Sequence, residues 1–154
     1  MKTTVKEKLK NLIEKYSIII RSNPKDYNAL NKRGVYEFYL KDYESAIIDY
    51  KKAIELDPSY EKNYFNRGIA YYSMNKFNDA IKDFTTCLEL NNKFTDAYYY
   101  RGVAKFRLMD YEGSVKDLSK SYENSRKAEQ SRHEGGEINI GRDYFDSLNH
   151  SKVS

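Results

Sequence analysis

Apolar residues along this chain recur every three to four positions, and the whole arrangement returns after 34 residues. Leu30, Gly34 and Phe38 form one strip; Tyr64, Gly68 and Tyr72 repeat it, and Tyr98, Gly102 and Phe106 repeat it again. Spacings of four place such residues on neighbouring parts of one helix surface. A short polar break follows each strip, at 41–43, 75–77 and 109–111. A second helical run follows each break. It contains Tyr43, Ala46, Ile47, Tyr50, Ala53 and Ile54 in the first copy. The second copy has Phe77, Ala80, Ile81, Phe84, Cys87 and Leu88, and the third Tyr111, Ser114, Val115, Leu118, Ser121 and Tyr122. Each copy predicts a helix–turn–helix hairpin. A fixed period of this size without insertions marks a stacked repeat architecture.

The glycines raise a question, because mid-helix glycine costs about 1 kcal/mol against alanine. Two helices approach closely where one lacks a side chain. Gly34, Gly68 and Gly102 are therefore expected to meet the small residues Ala46, Ala80 and Ser114 of the second helix, with Tyr43, Phe77 and Tyr111 filling the wedge where the helices diverge. An arginine precedes each glycine, and an aspartate follows each arginine by sixteen residues. The expectation is a partly buried pair in every copy: Arg33–Asp49, Arg67–Asp83 and Arg101–Asp117. Such pairs set hairpin register more than they add stability, because burying charge is costly.

The order of a large residue, glycine, aromatic, alanine, aromatic, alanine and proline on this period resembles the tetratricopeptide repeat. In the first copy it reads Leu30, Gly34, Phe38, Ala46, Tyr50, Ala53 and Pro58. The slot three residues after the glycine, usually aromatic in that family, holds Glu37, Tyr71 and Lys105, and Pro58 gives way to Asn92 and Arg126. The resemblance implies an all-α solenoid, a right-handed superhelix of helical hairpins with an extra helix at each end. Its three repeats are expected at 27–60, 61–94 and 95–126, within a unit spanning 26–126. Upstream, Tyr16, Ile20 and Asn23-Pro24 stand 34 residues before Tyr50, Ile54 and Asp57-Pro58. Residues 1–25 are therefore expected to form a capping helix like the second half of a repeat, from roughly Thr4 to Arg21. Its apolar stripe is Val5, Leu9, Leu12, Ile13, Tyr16, Ile19 and Ile20, with Lys2, Lys6 and Lys10 off the stripe. Residues 127–154 are a polar tail with three open readings: a short capping helix over Val115, Leu118 and Tyr122, a disordered segment, or a site of self-association.

The resemblance also implies a function. In tetratricopeptide stacks the first helices of successive repeats line an inner groove that binds peptides. Carried over residue by residue, the groove takes Asn28, Asn31, Val35 and Phe38 from the first repeat. The second adds Lys62, Phe65, Asn66, Ile69 and Tyr72, and the third Asp96, Tyr99, Tyr100, Val103 and Phe106. Such an aromatic channel suits binding, since aromatics give large contact areas and dominate hot spots. Family members that clamp the C-terminal carboxylate of heat-shock chaperones use a Lys and an Asn on the first helix, an Asn on the next, and a Lys and an Arg on the third. Here those slots hold Asn31, Val35, Asn66, Asp96 and Tyr100. Only Asn66 matches, and Asp96 repels a carboxylate, so a chaperone tail is disfavoured. The reading is a non-catalytic adaptor for a protein or peptide. Two alternatives accompany it: a homodimer or longer assembly joined through the last repeat and tail, and a membrane or nucleic-acid accessory using a basic N-terminal helix.

Charge narrows these alternatives. The net charge is +4, but residues 1–25 carry +5, residues 26–126 sum to zero and residues 127–154 carry −1. The repeats thus lack the basic stripe that a nucleic-acid surface needs. The stripe of the first helix is required to cover the first repeat, which disfavours its insertion in a membrane. No apolar run approaches the ~18 residues of a spanning helix, and the charge-interrupted start suggests no secretory signal. A single cysteine, Cys87, cannot form an internal disulfide, which favours a reducing, cytoplasmic setting. Enzyme chemistry finds no foothold. His133 and His150 stand in the tail without partners at metal-ligand spacing, Cys87 occupies the small packing slot of Ala53, and no phosphate-cradling loop occurs. Neither a metal nor a cofactor is expected.

Overall fold

A computed structural model describes residues 4–134. It contains α1 (Val5–Ser22), α2 (Tyr27–Tyr39), α3 (Tyr43–Leu56), α4 (Glu61–Ser73), α5 (Phe77–Leu90), α6 (Thr95–Arg107) and α7 (Tyr111–Glu134), with no strand among the described residues. The helices α2/α3, α4/α5 and α6/α7 form the hairpins. The second helices α3 and α5 also pack against the first helix of the next hairpin, and α1 packs against α2 in the same way. Contacts therefore run between neighbours along one axis, as in other repeat solenoids.

The same turn closes every hairpin. Lys41, Asn75 and Met109, 34 residues apart, adopt left-handed backbone with φ of 65°, 58° and 65°. The next amide then reaches back to the first helix: Asp42 N donates to Glu37 O, Lys76 N to Tyr71 O and Asp110 N to Lys105 O, at 2.9–3.0 Å. These bonds satisfy carbonyls that a helix end otherwise leaves orphaned. An aromatic pair packs beside each turn, with ring centroids 5.3 Å apart for Phe38–Tyr43, 5.4 Å for Tyr72–Phe77 and 5.5 Å for Phe106–Tyr111.

The expected partner of the glycines needs correction. A Cβ at Gly34 would lie 2.8 Å from the Tyr50 ring, and one at Gly68 would lie 2.7 Å from the Phe84 ring. At Gly102 the nearest atom would be Leu118 Cγ at 3.0 Å. The glycine thus makes room for the large side chain sixteen residues on, one helical turn beyond Ala46, Ala80 or Ser114. Those three are buried, but they are not what a Cβ would meet first.

Each arginine beside a glycine grips its aspartate with two bonds. Arg33 donates from Nε to Asp49 Oδ2 at 2.6 Å and from Nη2 to Oδ1 at 2.7 Å. Arg67–Asp83 and Arg101–Asp117 repeat this at 2.7–2.8 Å. The preceding helix completes two of these sites: Arg33 Nη1 donates to Ser17 Oγ on α1, and Arg101 Nη1 to Thr85 Oγ1 on α5. The helix α1 therefore stands to the first repeat as α5 stands to the third. Thr4 caps it with a reciprocal bond pair to Glu7, but none of its residues is fully buried. At the other end the expected boundary moves. The helix α7 continues past residue 126 to Glu134, so the first part of the expected tail extends the last repeat. The remainder, 135–154, with the glycine pair at 135–136, lies outside the described residues.

Candidate peptide-binding surface

Contacts between α2 and α4 and between α4 and α6 bring the first helices side by side. Their shared surface holds the residues expected of the groove, at different depths. Asn28, Lys62, Asp96, Tyr99 and Phe106 are exposed, whereas Asn66, Ile69, Tyr72, Tyr100 and Val103 are half-buried. Val35 and Phe38 pack against the Ala46–Ile47–Tyr50–Ala70 cluster. Phe65 packs against the Cys87–Leu88–Ala97 cluster, 4.7 Å from the Phe94 ring.

Asn31 is a correction. It is buried, and its amide is consumed inside the protein: Nδ2 donates to Asn63 Oδ1 at 2.6 Å, and Oδ1 accepts from Asn66 Nδ2 at 3.3 Å. The reason is that Asn63 occupies the position of Ala29 and Ala97, so a buried polar group there demands a partner from the neighbouring helix. Asn66 remains half-exposed at the outer end of this three-amide chain.

Between α4 and α6 the surface is built of tyrosines. The Tyr100 ring lies 5.3 Å from Tyr99 and 6.0 Å from Tyr72, each edge to face, and 6.0 Å from Phe65 beneath. Burial raises the Tyr100 phenol above its usual range, helped by the Asp96 carboxylate and by the phenols of Tyr99, Tyr72 and Tyr39. Tyr39, at the end of α2, was not among the groove residues expected from the sequence. The signal was available only in three dimensions, because the equivalent positions hold Ser73 and Arg107.

A second feature hidden in the sequence is the slot that departs from the family pattern. Its residue lies beside the buried ion pair. Glu37 approaches Arg33 Nε at 3.8 Å, and Lys105 donates a salt bridge to Asp117 at 2.8 Å. Burial and the neighbouring Asp49 push the Glu37 carboxyl up to about 7, against the pull of Arg33, and its Oε2 has no hydrogen bond. Burial works on Asp117 too, but hydrogen bonds from Arg101 and Lys105 outweigh it and hold that carboxyl below its usual range. Cys87 is fully buried, and burial pushes its thiol up to about 12. Among the described residues no group of His, Cys, Asp or Glu could hold a metal, and no helix is long and apolar enough to cross a membrane. The side chain of His133 and all of His150 lie outside the described residues.

Family models for the TPR repeat and the tetratricopeptide repeat match residues 36–75 and 62–94. The first TPR of Spaghetti (RPAP3), solved bound to an HSP90 peptide, SRMEEVD, is 33% identical to this chain. The match covers 64% of this chain and 78% of that one, with a TM-score of 0.63. The chain belongs to the tetratricopeptide repeat family. A crystal structure of the MamA protein shares the fold at 21% identity, covering 86% of this chain and 70% of that one with a TM-score of 0.72. No curated protein sequence matches the chain. Tetratricopeptide repeats build protein–protein interaction modules, and the three hairpins among the described residues have that architecture.

Proposed function

We propose that this tetratricopeptide protein is a non-catalytic adaptor that binds a protein segment on its first-helix surface, centred on α4 and α6. The observation that carries this reading is the exposure of large aromatic side chains on that surface. Tyr99 is 50% exposed and Phe106 56% exposed. Large apolar groups gathered on a concave repeat surface are candidates for binding hot spots, each typically worth ~2 kcal/mol or more. The HSP90 peptide bound by the Spaghetti domain supports peptide binding as a class, but not that peptide here. Asn31 is consumed by Asn63 and Asn66, and Asp96 and Tyr100 stand where the clamp needs cations. The test is affinity capture with the wild-type chain beside Tyr99→Ala/Phe106→Ala, each candidate then titrated singly. The reading expects a partner that binds wild type and is lost on the folded variant. A partner held equally by both moves the site elsewhere.

A second reading rests on the end of the stack. Val115 is 65% exposed and Tyr122 69% exposed, while their equivalents Ile47 and Leu88 are 8% and 6% exposed under the next hairpin. The last helix thus presents an inter-repeat face without a following repeat among the described residues, and self-association through it is the alternative function.

A further inference from the structure

Four aromatic rings in the described part of this protein already meet cations of its own. Lys15 and Lys32 approach Tyr16, Arg67 lies over Tyr64, Arg101 over Tyr98 and Arg107 over Phe77, at 4.8–5.9 Å from the ring centroids. Two of these contacts follow a rule, with a tyrosine one turn before the buried arginine. The tyrosine cluster between α4 and α6 is different. Tyr99 and Tyr72 flank Tyr100 edge to face, at interplanar angles of 83° and 70°. Tyr99 is half exposed, and none of the three rings meets a cation of the described residues. Asp96, one turn before Tyr100, is exposed and is joined to no cation there either.

We propose that this cluster, Tyr72, Tyr99 and Tyr100 with Asp96 at its rim and Tyr39 across from it, is a subsite for a cationic side chain, arginine before lysine, of the bound segment. It rests on the first-helix surface being the binding surface, and it names the chemistry that the surface selects. Ring faces carry the negative side of the aromatic quadrupole and attract ammonium or guanidinium groups within about 6 Å. Arginine is favoured because its planar group stacks on a ring while forking two donors to a carboxylate. The carboxylate supplies the charge complement, and the half-buried rings keep the contact partly out of water, where it is strongest. Burial and the same Asp96 already disfavour a negative charge at this place, as the raised Tyr100 phenol records. Two of the other cations near this surface, Lys32 and Arg107, are held against rings of their own. Lys62 at the start of α4 is exposed and opposes a cationic ligand.

The test uses three capped twelve-residue peptides of one neutral sequence with Arg, Gln or Glu at the centre, titrated into the isotope-labelled chain by NMR. The Arg peptide is expected to shift resonances of Tyr72, Tyr99 and Tyr100 and to bind about tenfold more tightly than the Gln peptide, with the Glu peptide weakest. Asp96→Asn should remove most of that preference while leaving the spectrum folded, and Lys62→Gln should increase it. Added salt should weaken the Arg peptide most. Equal affinity for Arg and Gln, or a preference for Glu, overturns the cationic subsite while leaving a groove that binds peptides. If the Arg preference survives Asp96→Asn and its shifts fall elsewhere, the site is misplaced. Should no peptide of any charge move resonances of α4 or α6, the first-helix reading fails together with the subsite.

Discussion

At the scale of single residues, Glu37 and the repeat glycines decide most. Folded Glu37 titrates at about 7 against an ordinary 4.5. Between those values the native chain holds a proton that the unfolded chain has released, so stability falls as pH rises through that window. Glu37→Gln keeps the site neutral at every pH. Urea melts should show the variant more stable above pH 7, by about 1–2 kcal/mol after solvent screening is allowed for, and converging with the parent near pH 4.5. A constant gap across that range would contradict the assignment. Gly68 and Gly102 form a second pair of tests. Phe84 is fully buried and cannot give way to a Cβ at 2.7 Å, whereas Leu118 is only partly buried and yields more readily at 3.0 Å. Gly68→Ala should destabilise by about 1–3 kcal/mol. Gly102→Ala should be near neutral, because alanine's helix propensity returns about 1 kcal/mol. Equal urea midpoints for the two variants would contradict this packing.

At the scale of elements, the hairpins differ in how they begin. Asp42 caps α3 by accepting from Ser45 N, and Asp110 accepts from Gly113 N at the start of α7. Lys76, in the same place before α5, makes no side-chain cap bond. It also sets a positive charge at the positive end of the helix. Lys76→Asp should therefore stabilise the protein by about 1 kcal/mol, read as a higher melting temperature. The helices themselves were legible in the sequence, because period and phase survive substitution: three copies with Arg, Gly and Asp at fixed spacing leave one hairpin register. Side-chain depth was less legible. The sequence placed Asn31 in the groove because its equivalents, Phe65 and Tyr99, sit at the same phase. The chain of Asn63, Asn31 and Asn66 draws it inward instead. Phe65 shares a phase with Tyr99 too, yet Phe94, Phe84 and Tyr100 surround it. Phe65→Ala accordingly removes a half-buried ring packed on the core and is expected to cost about 1–3 kcal/mol, while Tyr99→Ala should leave the melt almost unchanged. The partner of each glycine escaped the sequence for a related reason. Spacing names the helix that is met, but not whether a small or a large side chain fills the space a missing Cβ leaves.

At the scale of the whole molecule, a stack of neighbour contacts has two ends and two long faces, and each could meet a partner. The end at α7 is tested by light scattering of Val115→Ser/Tyr122→Ser against the parent across concentration. If the end joins chains, the parent gains mass with concentration and the variant stays a monomer; a parent monomeric throughout removes that reading. The long face formed by α2, α4 and α6 carries the central claim. Hydrogen exchange of the chain with a captured partner, followed peptide by peptide, tests it most directly. Added protection should concentrate in residues 62–72 and 96–106, the stretches that hold Asn66, Tyr72, Tyr99, Tyr100 and Phe106. Protection confined to α3, α5 or α7, with 62–72 and 96–106 exchanging as in the free protein, would place the partner on the opposite face or the end and contradict the account.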